Sequence, residues 1–134
     1  MAKKNRILVV EDEPGLREGI KAILEKSDYE VILASDGKEG LDKARKEYPD
    51  LIILDLMMPK MDGYKVCRLL KFDSRYKQIP IVIFTVRAEK KDEKMAYNTG
   101  ADAYITKTLE PKELLDKIEE LLKKSSRGEE SKNG

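Results

Sequence analysis

Five residues in this chain stand where an apolar run gives way to a polar turn, and together they form a reactive set. Glu11 and Asp12 follow RILVV at 6–10, Asp55 follows LIIL at 51–54, Thr85 follows IVIF at 81–84, and Lys107 follows a run that closes at Thr106. Three carboxylates, a hydroxyl and an amine can supply a nucleophile, oxygen ligands for a hard cation and contacts for an anion. Histidine is absent from the whole chain. That excludes Ser-His and Cys-His nucleophile pairs, His-bearing zinc sites and any phosphohistidine carried by the chain itself. The single cysteine, Cys67, has neither a histidine to activate it nor a second cysteine to bridge, so it reads as a structural residue.

The elements that must position these groups alternate regularly. A β-branched run at 6–10 is followed by Pro14, which the first turn of a helix tolerates, and by Leu16, Ile20, Ile23 and Leu24 at helical spacing. A second strand is expected at 30–34. Asp36 can then cap a helix carrying Leu41, Ala44 and Tyr48, which Pro49-Asp50 breaks before a third strand at 51–54. A helix over about 63–72 presents Val66, Leu69 and Leu70, and Pro80 precedes a fourth strand at 81–84. A polar helix over about 91–97 stops at Asn98-Thr99-Gly100, a fifth strand spans 101–106, and an amphipathic helix begins near Pro111 with Leu114, Leu115, Ile118, Leu121 and Leu122. Five almost wholly apolar strands alternating with five helices predict an α/β fold, a doubly wound parallel sheet covered on both faces. Right-handed crossovers place every strand's C-terminal end along one edge, where open sheets of this kind bind ligands.

The composition narrows the function further. At 134 residues the chain is sized for one domain, expected over 1–124, with SSRGEESKNG at 125–134 as a disordered polar tail. Lys and Arg number 27 against 26 Asp and Glu, a net charge of +1, which gives no global attraction to nucleic acid or an anionic membrane. Apolar runs are strand-sized and MAKKNR lacks a hydrophobic signal region, so the expectation is a cytoplasmic protein without membrane insertion.

Each site residue has an ordinary structural reading when taken alone. The triplet Glu11-Asp12-Glu13 suits a helix N-terminus, Thr85 suits a strand, and Lys107 is one lysine among many. Together at one sheet edge they read differently. Like charges in one crevice require compensation, and Mg²⁺ is the hard cation that fits oxygen ligands best. Asp12 and Asp55 can bind it directly, a backbone carbonyl of the following loop can add an oxygen, and Glu11, longer by one methylene, can act through water.

ILVVEDEP at 7–14, LIILDLMMPKMDG at 51–63, IVIFT at 81–85 and GADAYITK at 100–107 resemble the receiver domain of two-component response regulators, including the single-domain chemotaxis regulators. The resemblance spans about residues 5–124 and implies a flavodoxin-like sheet of order 2-1-3-4-5. It implies that Asp55 is the phosphoacceptor, that Glu11, Asp12, Asp55 and the carbonyl of Met57 hold Mg²⁺, and that Thr85 and Lys107 contact the phosphoryl group. Tyr104 is then the aromatic switch residue that turns inward as Thr85 moves, reshaping the surface of the fourth helix, fifth strand and fifth helix. The implied donor is a sensor histidine kinase or histidine phosphotransfer protein, and the output is a protein target rather than direct nucleic-acid contact, with a monomer that can dimerise on phosphorylation. Such a domain catalyses only its own phosphorylation and dephosphorylation.

Four positions depart from the family pattern or tune it. Thr108 follows Lys107 where proline is usual, and Val86 replaces a smaller residue after Thr85. The resemblance implies that Met57 and Arg87, two positions beyond Asp55 and Thr85, influence the lifetime of the acyl phosphate. An apolar Met57 cannot orient an attacking water, which implies slow self-dephosphorylation. Two other readings remain open at the level of sequence: a degenerate receiver acting as a phosphorylation-independent interaction module, and an aspartate-nucleophile phosphatase. The latter needs a second acid where Met57 stands.

Overall fold

A computed structural model describes residues 4–56, 58, 60–85, 90–106 and 110–133, with 126–133 described as backbone. The elements run β1 (Arg6–Val10), α1 (Pro14–Lys26), β2 (Glu30–Ala34), α2 (Gly37–Glu47), β3 (Leu51–Leu54), α3 (Gly63–Lys71), β4 (Ile81–Thr85), α4 (Lys90–Asn98), β5 (Ala103–Thr106) and α5 (Pro111–Asn133). All neighbouring strands are parallel and the sheet order is β2-β1-β3-β4-β5. The chain therefore winds one way from β1 to β2 and the other way from β3 onward. The reversal leaves a crevice at the C-terminal ends of β1 and β3.

Alternation along each strand divides the core into two layers. Leu8, Val10, Ile52, Leu54, Ile81 and Ile83 face Leu41, Ala44, Val66, Cys67, Leu70 and Ala96 from α2, α3 and α4. Ile7, Val9, Leu51, Ile53, Val82 and Ile105 face Ile20, Leu24, Leu114 and Ile118 from α1 and α5. Apart from Arg6, which opens β1, and Thr85, which closes β4, the central strands carry apolar residues at every position because neither sheet face meets water. Each such aliphatic side chain contributes about 1.5–3 kcal/mol by burial. No helix among the described residues is long and apolar enough to cross a membrane.

Some sequence expectations shift. Leu69 is 37% exposed, and Cys67 takes its place in the buried stripe with Val66 and Leu70. At 100° per residue Leu69 lies roughly 110° from the centre of that stripe. Tyr48 is not on the apolar face of α2 but forms its C-cap at φ 47°, half exposed, with its ring tilted against Tyr76 at 5.8 Å. Pro49 disfavours helical backbone in the residue before it, so the helix ends there. The strand expected from 101 begins at Ala103, because Asp102 uses its carboxylate to accept the Ile81 N–H at 2.8 Å. The segment expected as a disordered tail continues α5 as helical backbone to Asn133.

Candidate functional site

The acidic pocket is built by sheet register. Val10 pairs with Leu54 across β1 and β3, and the ladder continues one residue further, with Asp55 N–H donating to Val10 O at 3.1 Å. Glu11 N–H likewise donates to Ala34 O of β2 at 3.0 Å. Both acids are thus fixed at the backbone just where the strands end. Carboxylate oxygens of Glu11, Asp12 and Asp55 all lie within 4.8 Å of one another. Glu11 and Asp55 are only 2% and 5% exposed, whereas Asp12 opens to solvent. In an octahedral Mg²⁺ shell, opposite oxygens stand about 4.2 Å apart at metal distances near 2.1 Å. The donor set fits such a cation in chemistry and spacing, and the exposed Asp12 leaves a side from which it can enter.

The acidic triplet divides its labour. Glu13 is the N-cap of α1, accepting from Gly15 N–H at 3.0 Å and Leu16 N–H at 2.6 Å. Its own N–H donates to Glu11 Oε2 at 3.2 Å. The helix cap is thus made by Glu13, while Glu11 and Asp12 stand in the carboxylate cluster with Asp55. Arg17 Nη1 reaches back from α1 to the carbonyls of Glu11 at 2.9 Å and Asp12 at 3.4 Å, which fixes the turn through its backbone.

Gly63, the first residue of α3, packs against the backbone of Asp55 and Leu56. Its N–H donates to Leu56 O at 3.1 Å, and a Cβ placed on it would overlap the carbonyl oxygen of Asp55. The sequence reading passed over this residue. Its signal is a glycine immediately after the N-cap Asp62, where helix propensity disfavours it.

Thr85 closes β4 and is fully buried. Leu54 pairs with Ile83, so Thr85 stands one strand from Asp55 and one residue further along. Tyr104 pairs with Ile83 and Thr106 with Thr85. Tyr104 and Thr85 therefore share the face covered by α2, α3 and α4, and Tyr104 is half-buried against that core layer. Lys107, Met57, Arg87, Val86 and Thr108 lie outside the described residues. Cys67 is buried, donates to Thr99 O at 3.6 Å, and has its thiol pushed up to about 11 by burial. It is chemically quiet, as the sequence implied.

The response regulator receiver domain model matches residues 7–119. The alkaline phosphatase synthesis transcriptional regulatory protein PhoP of Bacillus subtilis is 42% identical over 120 residues, 90% of this chain and 49% of its own length. The probable transcriptional regulator ycf27 of Porphyra purpurea is 42% identical over 125 residues, 93% of this chain and 50% of its own. The chain thus spans about half the length of the curated relatives it matches. Among solved structures, a CheY-like response regulator receiver domain protein from Methanospirillum hungatei JF-1 superposes with a TM-score of 0.88 at 32% identity, covering 94% of this chain and 99% of that one.

Proposed function

This chain belongs to the response regulator receiver family, and from that premise we propose that it accepts a phosphoryl group on Asp55 and uses the change to control a binding surface. The observation that carries the reading is the convergence of Glu11, Asp12 and Asp55 within 4.8 Å at the ends of adjacent strands, with Asp55 almost wholly buried. A carboxylate held there by the sheet can present one oxygen to phosphorus in line with the leaving group. The new bond joins Asp55 oxygen to phosphorus, and the bond that breaks joins phosphorus to an imidazole nitrogen of the donor. The donor is a sensor histidine kinase or histidine phosphotransfer protein, since this chain has no histidine of its own.

Glu11, Asp12, Asp55 and the Met57 carbonyl would hold Mg²⁺, which when bound supplies positive charge against the phosphoryl oxygens. Lys107 offers a second positive charge and Thr85 a hydroxyl. Thr85 has access to the phosphoryl group from the adjacent strand, and its movement frees space that the Tyr104 ring fills from the same sheet face. The surface altered is that of α4, β5 and α5. The output is contact with a protein partner, by a monomer that dimerises when phosphorylated, in the cytoplasm where the donor resides. The only reactions catalysed are gain and loss of the chain's own phosphoryl group.

Intact-mass spectrometry after incubation with acetyl phosphate and Mg²⁺ tests the reading. A single phosphoryl adduct is expected, lost with EDTA and in Asp55→Asn. An adduct that persists in Asp55→Asn at full yield overturns it.

A further inference from the structure

We infer that the first turn of α2 is a clamp on the loop that leaves the acceptor, with Gly37 and Asp36 as positioning residues; this rests on the role of Asp55 proposed above. The loop between Asp55 and Asp62 is held at one end by Gly63. Its other support comes from α2, which begins at the same sheet edge as the pocket. A Cβ on Gly37 would overlap the carbonyl oxygen of Met61 and lie 2.8 Å from its carbon. This is main chain against main chain, so no side-chain rotation can relieve it.

Asp36 holds the preceding residue of the loop. Its Oδ1 accepts the Glu39 N–H at 2.8 Å, and its Oδ2 meets Lys60 Nζ at 3.4 Å. Lys60 adopts φ 69°, a left-handed conformation that costs a residue with a Cβ about 1–2 kcal/mol. Such a conformation persists where its surroundings hold it. One turn further along α2, a Cβ on Gly40 would stand 2.7 Å from Val10 Cγ1, and Val10 directly precedes Glu11. The N-terminal part of α2 therefore touches both the strand that delivers Glu11 and Asp12, through Gly40, and the loop that follows Asp55, through Gly37. The ion pair itself is weak, because the Lys60 side chain is 68% exposed. The backbone contact sets the distance and the pair sets the direction of the turn.

The consequence is that Mg²⁺ affinity reports how closely α2 approaches the loop. In the full chain, Gly37→Ala is expected to raise the Mg²⁺ dissociation constant measured by calorimetry about tenfold. The Mg²⁺ concentration for half-maximal phosphoryl adduct should rise with it, and saturating Mg²⁺ should recover most of the rate. A folded Gly37→Ala protein with a lowered unfolding midpoint but unchanged Mg²⁺ affinity overturns the clamp. Lys60→Glu provides a second variant that keeps the glycine contact and repels Asp36. The added negative charge alone would tighten Mg²⁺ binding, so weakening by about twofold or more supports the clamp. Unchanged or tighter binding overturns it. If the unaltered chain takes up no phosphoryl group, the role of Asp55 fails, while the Mg²⁺ affinities still decide the clamp.

Discussion

Gly63→Ala separates the positioning of Asp55, the proposed acceptor, from the stability of the fold. The added Cβ would overlap Asp55 O and lie 2.9 Å from Leu56 Cα and 3.0 Å from the Asp55 carbonyl carbon. Ordinary contact begins at 3.4 Å, so Leu56 Cα must retreat about 0.5 Å. All three obstacles are backbone, and Asp55 is bound on its other side to Val10 O at 3.1 Å. The strain therefore falls on the peptide that aims the Asp55 carboxylate. In stability terms, alanine recovers up to about 1 kcal/mol of helix propensity against about 1–3 kcal/mol of overpacking. The net loss is about 0–3 kcal/mol, small enough to leave the protein folded. In rate terms, a displacement of several tenths of an ångström to one ångström at a reacting atom costs about 10–100-fold. The assay is the initial rate of adduct formation from acetyl phosphate at saturating Mg²⁺, run beside thermal unfolding. A variant that unfolds within a few degrees of the parent but phosphorylates at a rate within about twofold of it would refute the argument.

Two further predictions concern groups remote from the pocket. Lys71 Nζ donates to Lys77 O at 2.7 Å, Ile79 O at 3.0 Å and Asp102 Oδ2 at 3.0 Å, with its side chain only 11% exposed. Lys71→Met removes the donor to the Lys77 and Ile79 carbonyls, leaves Asp102 with the Ile81 N–H, and should cost about 2–3 kcal/mol, discounted for the partly exposed Asp102, lowering the unfolding midpoint by about 6–12 °C. Mg²⁺ affinity should be unchanged, and a midpoint shift below about 2 °C would contradict the assignment. Asp73 accepts from Arg75 Nε at 3.1 Å, Nη2 at 2.8 Å and the Arg75 N–H at 3.0 Å, and these bonds hold its carboxyl at about 2. Because the folded value is depressed, its contribution is complete above the unfolded value of about 3.9 and is lost as pH falls through about 2. Arg75→Ala should return the Asp73 carboxyl, followed by NMR titration, toward the ordinary carboxylate range; an unchanged midpoint would remove Arg75 as the cause.

What the sequence disclosed and what it concealed follow from the range of the physics involved. Strand positions were legible because burial on both faces demands unbroken apolar runs, and the residues after those runs were legible because parallel winding brings them to one edge. The register that joins Asp55 to Val10 and Glu11 to Ala34 confirms that placement for the carboxylates. Leu69 and Tyr48 were misplaced for a different reason. Both are apolar enough to suit a helix face, and only the angle of Leu69 from the stripe and the restriction imposed by Pro49 decide against them. The network of Lys71 could not be read at all, since a buried lysine and an exposed one carry the same letter.

The two Asp-Gly pairs show where pattern reasoning ends. Asp36-Gly37 and Asp62-Gly63 each place an N-cap aspartate before a glycine that begins a helix, and of the two aspartates only Asp36 was read as a cap. The glycines carry no periodic signal. Their requirement comes from main-chain atoms distant in sequence, Met61 O for Gly37 and Asp55 O for Gly63. Both contacts converge on the chain that follows Asp55. A reactive carboxylate at the end of a strand is fixed by the sheet only up to its own N–H; beyond that, its aim depends on what the departing chain can lean against. In this chain two helix N-termini provide that support, and their glycines allow the close approach. The pocket's chemistry is therefore written in the acidic residues, while its geometry is written in residues that have no chemistry of their own.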